Sequence, residues 1–258
     1  MPDMQRDASP GSKNTVTEDI ETYADIIYLE DTTGENFIEN IIHSRNLPKL
    51  ISRLHPESLN EPILEMGFGE GTITAPLIKA GCTVEIIEGS SKLCADAKAR
   101  YGDSVKVHCE LFENFDPVEK FQTVLSLHVL EHIDSPSDVV NKIFEWVKPG
   151  GQVIAVVPNA ESFHRKLAVM MGLQPELNSL SPRDKIVGHQ RVLTLDELSH
   201  FFEEAGFNIT EKFGYFLKIV PNSMMVDYPP DLLKALVDIS HDLPPNLMSN
   251  IGLVATKP

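Results

Sequence analysis

Apolar positions in this chain of 258 residues recur with two periods, one typical of strands and one typical of helices. Short apolar, β-branched-rich runs predict strands buried on both faces at 63–66, 83–88, 105–108, 121–127, 152–157, 207–213 and 251–257. Apolar residues at helical spacing predict helices at 73–80, 91–101, 139–147, 195–205 and 232–239. Because helices separate most of the strands, the pattern predicts an α/β fold with a mostly parallel sheet covered on both faces.

The two-period pattern also predicts how the chain is divided. Residues 1–18 are polar, carry Pro, Gly, Ser and Asp, and predict a disordered leader. Residues 19–258 are expected to form a single domain. Within it, residues 19–59 predict two or three short cap helices, broken near 32–34 and at Leu47-Pro48. Residues 159–193 and 214–250 are predicted to be insertions that face a substrate.

The first predicted strand leads into the most informative stretch of the chain, where three glycines occupy alternate positions. Glu65 closes the strand, and Gly67, Gly69 and Gly71 follow it. Without a Cβ, glycine permits a sharp turn at positive φ and lets a ligand approach the backbone N–H groups closely. The spacing Gly-x-Gly-x-Gly differs from the Gly-x-Gly-x-x-Gly of the dinucleotide fingerprint. Thr72 is expected to cap the next helix.

Three later motifs stand in register with these glycines. Glu88 ends the second predicted strand, where a nucleotide-binding βαβ unit places a carboxylate for the ribose hydroxyls. Leu130-Glu131-His132-Ile133 follows the fourth strand, and Lys148-Pro149-Gly150-Gly151 separates a helix from the fifth. Over about residues 60–213 these blocks resemble class I S-adenosylmethionine (SAM)-dependent methyltransferases. They are most similar to the ubiquinone-biosynthesis O-methyltransferases and related small-molecule enzymes.

The resemblance implies a fold, a cofactor and a reaction. The fold would be a Rossmann-like doubly wound seven-stranded sheet of order 3-2-1-4-5-7-6, with strand 7 antiparallel. The cofactor would be SAM, with S-adenosylhomocysteine as product, and a small-molecule metabolite would receive the methyl group on oxygen or nitrogen in a biosynthetic pathway. The residues implied in cofactor binding are Glu65, Gly67, Gly69, Gly71, Glu88, Gly89, Glu110, Leu111, Leu127 and His128.

Histidines near the fourth strand and in the first insertion are the candidates for proton transfer. Imidazole titrates near neutral pH, so His132 and His189 are predicted to be general bases, with Glu131 orienting His132. A structural role, bonding a loop carbonyl, stays open for each histidine. The family is described as using a divalent cation near an acid-rich form of this motif, but His128 replaces the acid. One carboxylate and two imidazoles suit magnesium poorly, so no metal is predicted.

Composition limits the kinds of binding partner and the cellular compartment that can be expected. The net charge is −16, from 22 basic and 38 acidic residues, and ten acids lie in the first 40 residues. Such a field repels phosphate backbones, so no nucleic-acid partner is expected. Cys82, Cys94 and Cys109 show no paired spacing, and no apolar run approaches the roughly 20 residues of a membrane span. These features predict a cytoplasmic protein without disulfides or a membrane partner, and leave a homodimer open.

Three other functions share part of this pattern. An NAD-dependent oxidoreductase would use the glycines and Glu88, but the chain lacks a Tyr-x-x-x-Lys pair for hydride transfer. His128-x-x-Glu131-His132 matches the inverted zinc motif of some hydrolases. That motif requires a helix, whereas His128 is predicted at a strand end. A SAM-binding partner protein without catalytic activity stays open on sequence alone.

Overall fold

A seven-stranded sheet is the centre of the computed structural model, which describes residues 20–22, 24, 25 and 35–258. Its strands are β1 Ile63–Met66, β2 Val84–Glu88, β3 Val105–Cys109, β4 Phe121–Leu127, β5 Val147–Pro158, β6 Asn208–Tyr215 and β7 Asn250–Thr256. The order is β3-β2-β1-β4-β5-β7-β6. β7 runs antiparallel to β5 and β6, and the other pairs are parallel. The predicted fold class is therefore confirmed, whereas the predicted leader lies outside the described residues.

Helices cover both faces of this sheet. The α-helices from residue 35 onward are α1 Glu35–Ser52, α2 Thr74–Lys79, α3 Ser91–Tyr101, α4 Pro136–Trp146, α5 Phe163–Met170, α6 Pro182–Ile186, α7 Leu195–Glu204 and α8 Pro230–Asp238. Short 3-10 helices lie at Pro56–Leu59, Gly102–Ser104, Asn222–Met224, Ile239–Asp242 and Pro245–Leu247. Among the helices that the structure describes, none combines the length and apolar character needed to cross a bilayer.

Two hydrophobic cores lie on opposite faces of the sheet. Successive side chains of a strand point to opposite faces, so Ile63 and Leu64 of β1 enter different cores. The first core includes side chains of α1, α2, α3 and α8, and the second includes those of α4 and α7. All four residues of β1 are buried, and its sequence accordingly shows no alternation of apolar and polar residues. Ile63, Leu64 and Met66 are apolar, and Glu65 is the one acid.

Helix α1 is continuous through Pro48, so the predicted break at Leu47-Pro48 is wrong. Proline inside a helix removes one backbone hydrogen bond and costs roughly 3 kcal/mol. Ile38 and Ile42 before the proline and Leu50 after it are buried in the first core. Burying one such side chain contributes about 1.5–3 kcal/mol, so three of them together outweigh that cost.

The glycines of Lys148-Pro149-Gly150-Gly151 also lie inside an element rather than between two. β5 begins at Val147, and the β4–β5 register shifts between Phe121 and Thr123. Gly150 has φ 78°, and a Cβ on Gly151 would lie 2.9 Å from the Gln122 carbonyl oxygen. The motif forms an irregular start to the strand, which only glycine fits at these positions.

A disulfide joins Cys94 of α3 to Cys109 at the end of β3, which corrects the expectation of unpaired cysteines. The two Cα atoms are 6.0 Å apart because α3 packs beside β3. Cys82 is a buried free thiol. The pairing depends on how a helix and a strand pack, and a sequence separation of 15 residues gives no sign of it.

Candidate functional site

A cavity of about 1340 Å³ opens beyond the carboxyl ends of β1 and β4, at the edge where the sequence predicts the ligand. The glycine loop after β1 and the segments after β2 and β4 contribute to its wall. Residues of α1, of the insertion at 159–193 and of the segment after β6 also line it. The cavity is thus lined both by the carboxyl ends of the parallel strands and by segments far from them in sequence.

The glycine loop has the conformation that its composition predicts. Gly67, Gly69 and Gly71 have φ values of 76°, 52° and 71°, all in the left-handed region. A Cβ on Gly71 would approach the Phe68 ring to 2.8 Å. Thr72 does not cap α2, because that helix begins at Thr74 without a side-chain cap. These glycines allow the loop to fold tightly over the end of β1.

Two buried carboxyl groups flank the glycine loop. Glu88 at the end of β2 accepts hydrogen bonds from the backbone N–H groups of Phe68 (2.8 Å) and Ser90 (2.7 Å). Burial raises the pKa of Glu88, although these bonds act to lower it. Glu65 accepts from the Thr74 hydroxyl at 2.7 Å, and burial raises the pKa of Glu65 to about 8. Glu88 therefore bonds the glycine loop to the end of β2, while Glu65 bonds to Thr74 at the start of α2.

Most of the residues predicted to bind the cofactor do line the cavity. They are Glu65, Gly67, Gly69, Glu88, Gly89, Leu111, Leu127 and His128. Gly71 shapes the loop from outside the cavity wall, and the exposed side chain of Glu110 also lies outside it. Glu113, rather than Glu110, is the acid of that segment on the cavity wall.

His128 leaves β4 with φ 58° and connects two side chains of the cavity. Its Nδ1 donates to Glu131 Oε1 at 3.3 Å, and its Nε2 lies 3.2 Å from the Tyr215 hydroxyl. Burial acts to raise the pKa of Glu131, but the hydrogen bond and charge of His128 outweigh it, so this pKa lies below its usual value. Glu131 therefore bonds His128, and the predicted pairing of Glu131 with His132 is wrong.

His189 is held by a carboxylate that sequence reasoning missed. Asp184 Oδ1 accepts from His189 Nδ1 at 2.9 Å, and its Oδ2 accepts from Arg165 Nη2 at 2.7 Å and from the Ser181 N–H at 2.8 Å. Burial of Asp184 opposes its ionisation, but these bonds and the Arg165 charge hold its pKa well below the usual range. Since a carboxylate only accepts, His189 carries a proton on Nδ1, and its Nε2 forms no hydrogen bond with the residues that the structure describes.

The three predicted catalytic residues lie together on the cavity wall. The rings of His132 and His189 are 4.8 Å apart, and His189 Nε2 lies 4.0 Å from Glu131 Oε1. His132 Nδ1 donates to the Gly188 carbonyl at 3.3 Å. Each of the three residues offers one ligand atom, and these atoms lie within 4.8 Å of one another, close enough for a metal ion. A set of two imidazoles and one carboxylate suits zinc-like ions better than magnesium.

The sequence of the chain matches a known family over most of this architecture. A family model described as a methyltransferase domain matches residues 39–212, which span the glycine loop, Glu88 and both histidines of the cluster. The chain belongs to the class I SAM-dependent methyltransferases. The predicted family is therefore confirmed, and within it the cavity edge beside β1 and β4 is the expected cofactor side.

Individual relatives agree with this assignment. A ubiquinone biosynthesis O-methyltransferase of Nitrobacter winogradskyi is 27% identical over 157 residues, which cover 59% of this chain and 58% of that enzyme. The chain thus matches less than two thirds of the length of this relative.

Solved structures share the fold at low identity. The protein bound by the Trm112 methyltransferase activator in a complex from Haloferax volcanii has a TM-score of 0.63 at 14% identity, with 94% of this chain and 97% of that chain covered. A SAM-dependent methyltransferase of Thermotoga maritima has a TM-score of 0.61 at 16% identity, with 86% and 92% covered.

The residues on the cofactor side suit SAM. A Cβ on Gly89 would lie 3.1 Å from the Leu111 side chain, so a larger residue where the end of β2 faces Leu111 would require that side chain to shift. Glu88 keeps unused acceptor lone pairs for ribose hydroxyls, because each of its oxygens accepts only one backbone bond. Leu111 and Phe112 supply apolar surface beside it for an adenine ring.

Proposed function

We propose that this chain moves a methyl group from SAM to an oxygen or nitrogen of a small-molecule metabolite, in a biosynthetic pathway. The observation that carries the proposal is the free Nε2 of His189, held by Asp184 on the same cavity as the glycine loop and Glu88. Family membership supports SAM as the methyl donor. The oxygen or nitrogen acceptor follows from the relatives and from a base placed on the acceptor side.

The protein's own contribution is alignment and proton removal. SAM supplies an activated methyl group when bound. The Gly67–Gly71 loop and Glu88 hold the cofactor at the end of β1, which fixes its position relative to the cavity. The apolar walls around Leu111 and Val129 exclude water from the region between the cofactor and the acceptor.

His189 is proposed to take the acceptor proton on Nε2. Its Nδ1–H stays bonded to Asp184, and the imidazolium that forms lies between the carboxylates of Asp184 and Glu131. Proton transfer to a positioned base contributes about 10²–10⁴ in rate. An amine acceptor that arrives neutral would need only to be positioned. His132, fixed by Gly188, would then serve to orient the acceptor.

The acceptor is proposed to bind against the two insertions, 159–193 and 214–250, because loops on a rigid scaffold usually carry specificity. Both segments contribute to the wall of the cavity. The net charge of −16 supports a small molecule over a nucleic acid. A cytoplasmic location and the absence of a membrane partner are part of the same proposal, and a homodimer is compatible with it.

Turnover measurements test the proposal directly. Purified protein is incubated with SAM and separate panels of phenols, sugar alcohols, amines and peptides, and the products are identified by mass. We expect a product 14 mass units heavier than one of the small molecules, together with S-adenosylhomocysteine, since one hydrogen is replaced by one methyl group. SAM binding without methylation of any panel would favour the non-catalytic partner protein, and absence of SAM binding would refute the proposal.

We also propose that the reaction needs no metal, and chelation tests this prediction. In the Glu131, His132 and His189 cluster, one atom of each residue bonds to His128, Gly188 and Asp184 respectively, whereas Glu131 Oε2 has no hydrogen-bond partner among the described residues. The proposal therefore rests on the set of donor atoms, which suits magnesium poorly. We expect turnover to survive dialysis against a strong chelator. Activity that disappears and returns with one divalent ion, above all zinc, would contradict the prediction and assign the cluster as its site.

A further inference from the structure

One wall of the cavity concentrates cationic and hydrogen-bond-donating side chains that the proposed reaction does not use. His164 and Arg165 are consecutive residues of α5, and Lys218 follows β6. All three line the cavity. Arg165 is committed to Asp184 and to the carbonyls of Leu177 and Ser179. The remaining two side chains are free to meet a ligand.

Lys218 is a cation on the cavity wall without a direct partner. It forms no hydrogen bond or ion pair with the residues that the structure describes, and only longer-range charges act on it. Burial lowers the pKa of Lys218 and Arg165 adds to this, while Glu39 and Glu35 act in the opposite direction. A partly buried ammonium group without a direct partner is stabilised when an anion reaches it.

The acids near Lys218 are engaged elsewhere. Glu39 accepts a hydrogen bond from the Asn222 amide and lies 3.9 Å from His43 Nε2. Glu35 lies 3.7 Å from the Arg183 guanidinium. Both acids belong to α1, whereas His164 belongs to α5 in the first insertion.

The His164 ring lies where the electrostatic potential is positive. Burial, together with the charges of Lys218 and Arg165, lowers the pKa of His164 to about 3, against the opposing charge of Asp184. The ring is therefore neutral at pH 7 and has one N–H to donate. Its Nδ1 is buried without a hydrogen-bond partner among the described residues. A buried polar atom without a partner is uncommon and needs an explanation.

We propose that His164 and Lys218 bind a carboxylate group carried by the methyl acceptor. One ammonium group and one neutral imidazole N–H match a single negative charge, whereas a phosphate dianion would stay under-neutralised. This inference rests on the proposed methyl transfer and names the class of its acceptor.

The other side chains near this pair indicate the polarity of the remainder of the acceptor. Leu167, Ala168 and Met171 of the α5 region and Ile219 beside Lys218 present apolar surface to the cavity. A carboxylate subsite surrounded by apolar side chains fits a molecule that has an apolar ring or chain and one carboxylate at its end. The hydroxyl or amine that receives the methyl group would then extend toward His189.

Paired probes test the subsite without knowledge of the natural acceptor. Full-length protein saturated with S-adenosylhomocysteine is titrated with hydroxylated benzoic acids and with the corresponding benzamides, which have similar shape and no charge. The wild type should bind the best acid about tenfold more tightly than its amide, as expected for a charged hydrogen bond. Lys218→Met and His164→Phe should remove most of this preference. Lys218→Arg should retain it, and so should Lys212→Met, a change at an exposed lysine of β6.

The outcomes separate this inference from the proposed function. S-adenosylhomocysteine affinity, measured by calorimetry on every variant, reports the cofactor site alone, so its absence in the wild type would refute the methyltransferase proposal. With that affinity intact, equal binding of acids and amides, or detectable binding of neither, would overturn the carboxylate subsite. Tighter binding of benzenephosphonates than of the acids would overturn the assignment to a single charge. A preference that survives in Lys218→Met with native folding would place the acid elsewhere.

Discussion

Replacing His189 with alanine should lower kcat by about 10²–10⁴-fold and leave the affinity for SAM unchanged, because this change removes the proposed base. The expected split follows from the proposed roles, since His189 lines the cavity, is held by Asp184 and forms no part of the glycine loop or Glu88. Turnover and calorimetric SAM binding on the same preparation measure the two quantities. His200→Ala, at an exposed histidine of α7 outside the cavity wall, is the matched control.

A substitution at Asp184 tests whether His189 needs this carboxylate in order to act as the base. In Asp184→Asn the amide can still accept from His189 Nδ1, but it provides no charge beside the imidazolium. We expect kcat to fall, with the acceptor KM and the circular dichroism spectrum unchanged. A rise in KM alone would show that Asp184 only shapes the insertion, through Arg165 and Ser181. Full activity of His189→Ala would exclude His189 as the base.

Replacing Glu88 with alanine should weaken SAM binding by about 1.5–3 kcal/mol, or roughly 10- to 150-fold. The charge-assisted bonds proposed between this carboxylate and the ribose are lost. The anchor of the glycine loop at the Phe68 N–H is lost as well. Titration calorimetry with purified protein measures the affinity. Thermal unfolding in the absence of ligand reports how far loss of the loop anchor lowers the stability of the fold.

Glu85 provides the control for this prediction. It lies on the same strand but pairs with Lys106 and His108 away from the cavity wall. Glu85→Ala should therefore leave SAM affinity unchanged. A folded Glu88→Ala protein with wild-type affinity would remove Glu88 from the cofactor site, whatever its effect on stability.

The sheet and its cofactor side were predictable because both depend on local signals. A buried parallel strand is a short apolar run, and a tight turn over its end requires glycine at fixed positions. The capping box at the start of α7 is equally local, since Thr194 Oγ1 accepts from the Glu197 N–H and Glu197 accepts from the Thr194 N–H. These features need only neighbours within a few residues.

The acceptor side depends on contacts that no short pattern encodes. Asp184 meets Arg165 across 19 residues, and Lys218 reaches the cavity from the segment after β6. The Ser181-x-x-Asp184 box predicts a helix start, but nothing in it predicts that Asp184 also holds His189. Glu131 bonds His128, three residues earlier, rather than its neighbour His132, and His128 has a left-handed φ of 58° that the sequence does not signal.

The docking of α1 on α8 fixes the order in which the cavity can be assembled during synthesis. Arg45 Nε and Nη2 each lie 2.7 Å from a carboxylate oxygen of Asp238, across 193 residues of sequence. Ile42 of α1 and Leu233 of α8 share the first core. Domains emerge from the ribosome amino end first, and long-range contacts form only when both partners are present. The glycine loop can thus close on β2 early, whereas α1, which lines the cavity, reaches its native packing only after α8 has been made.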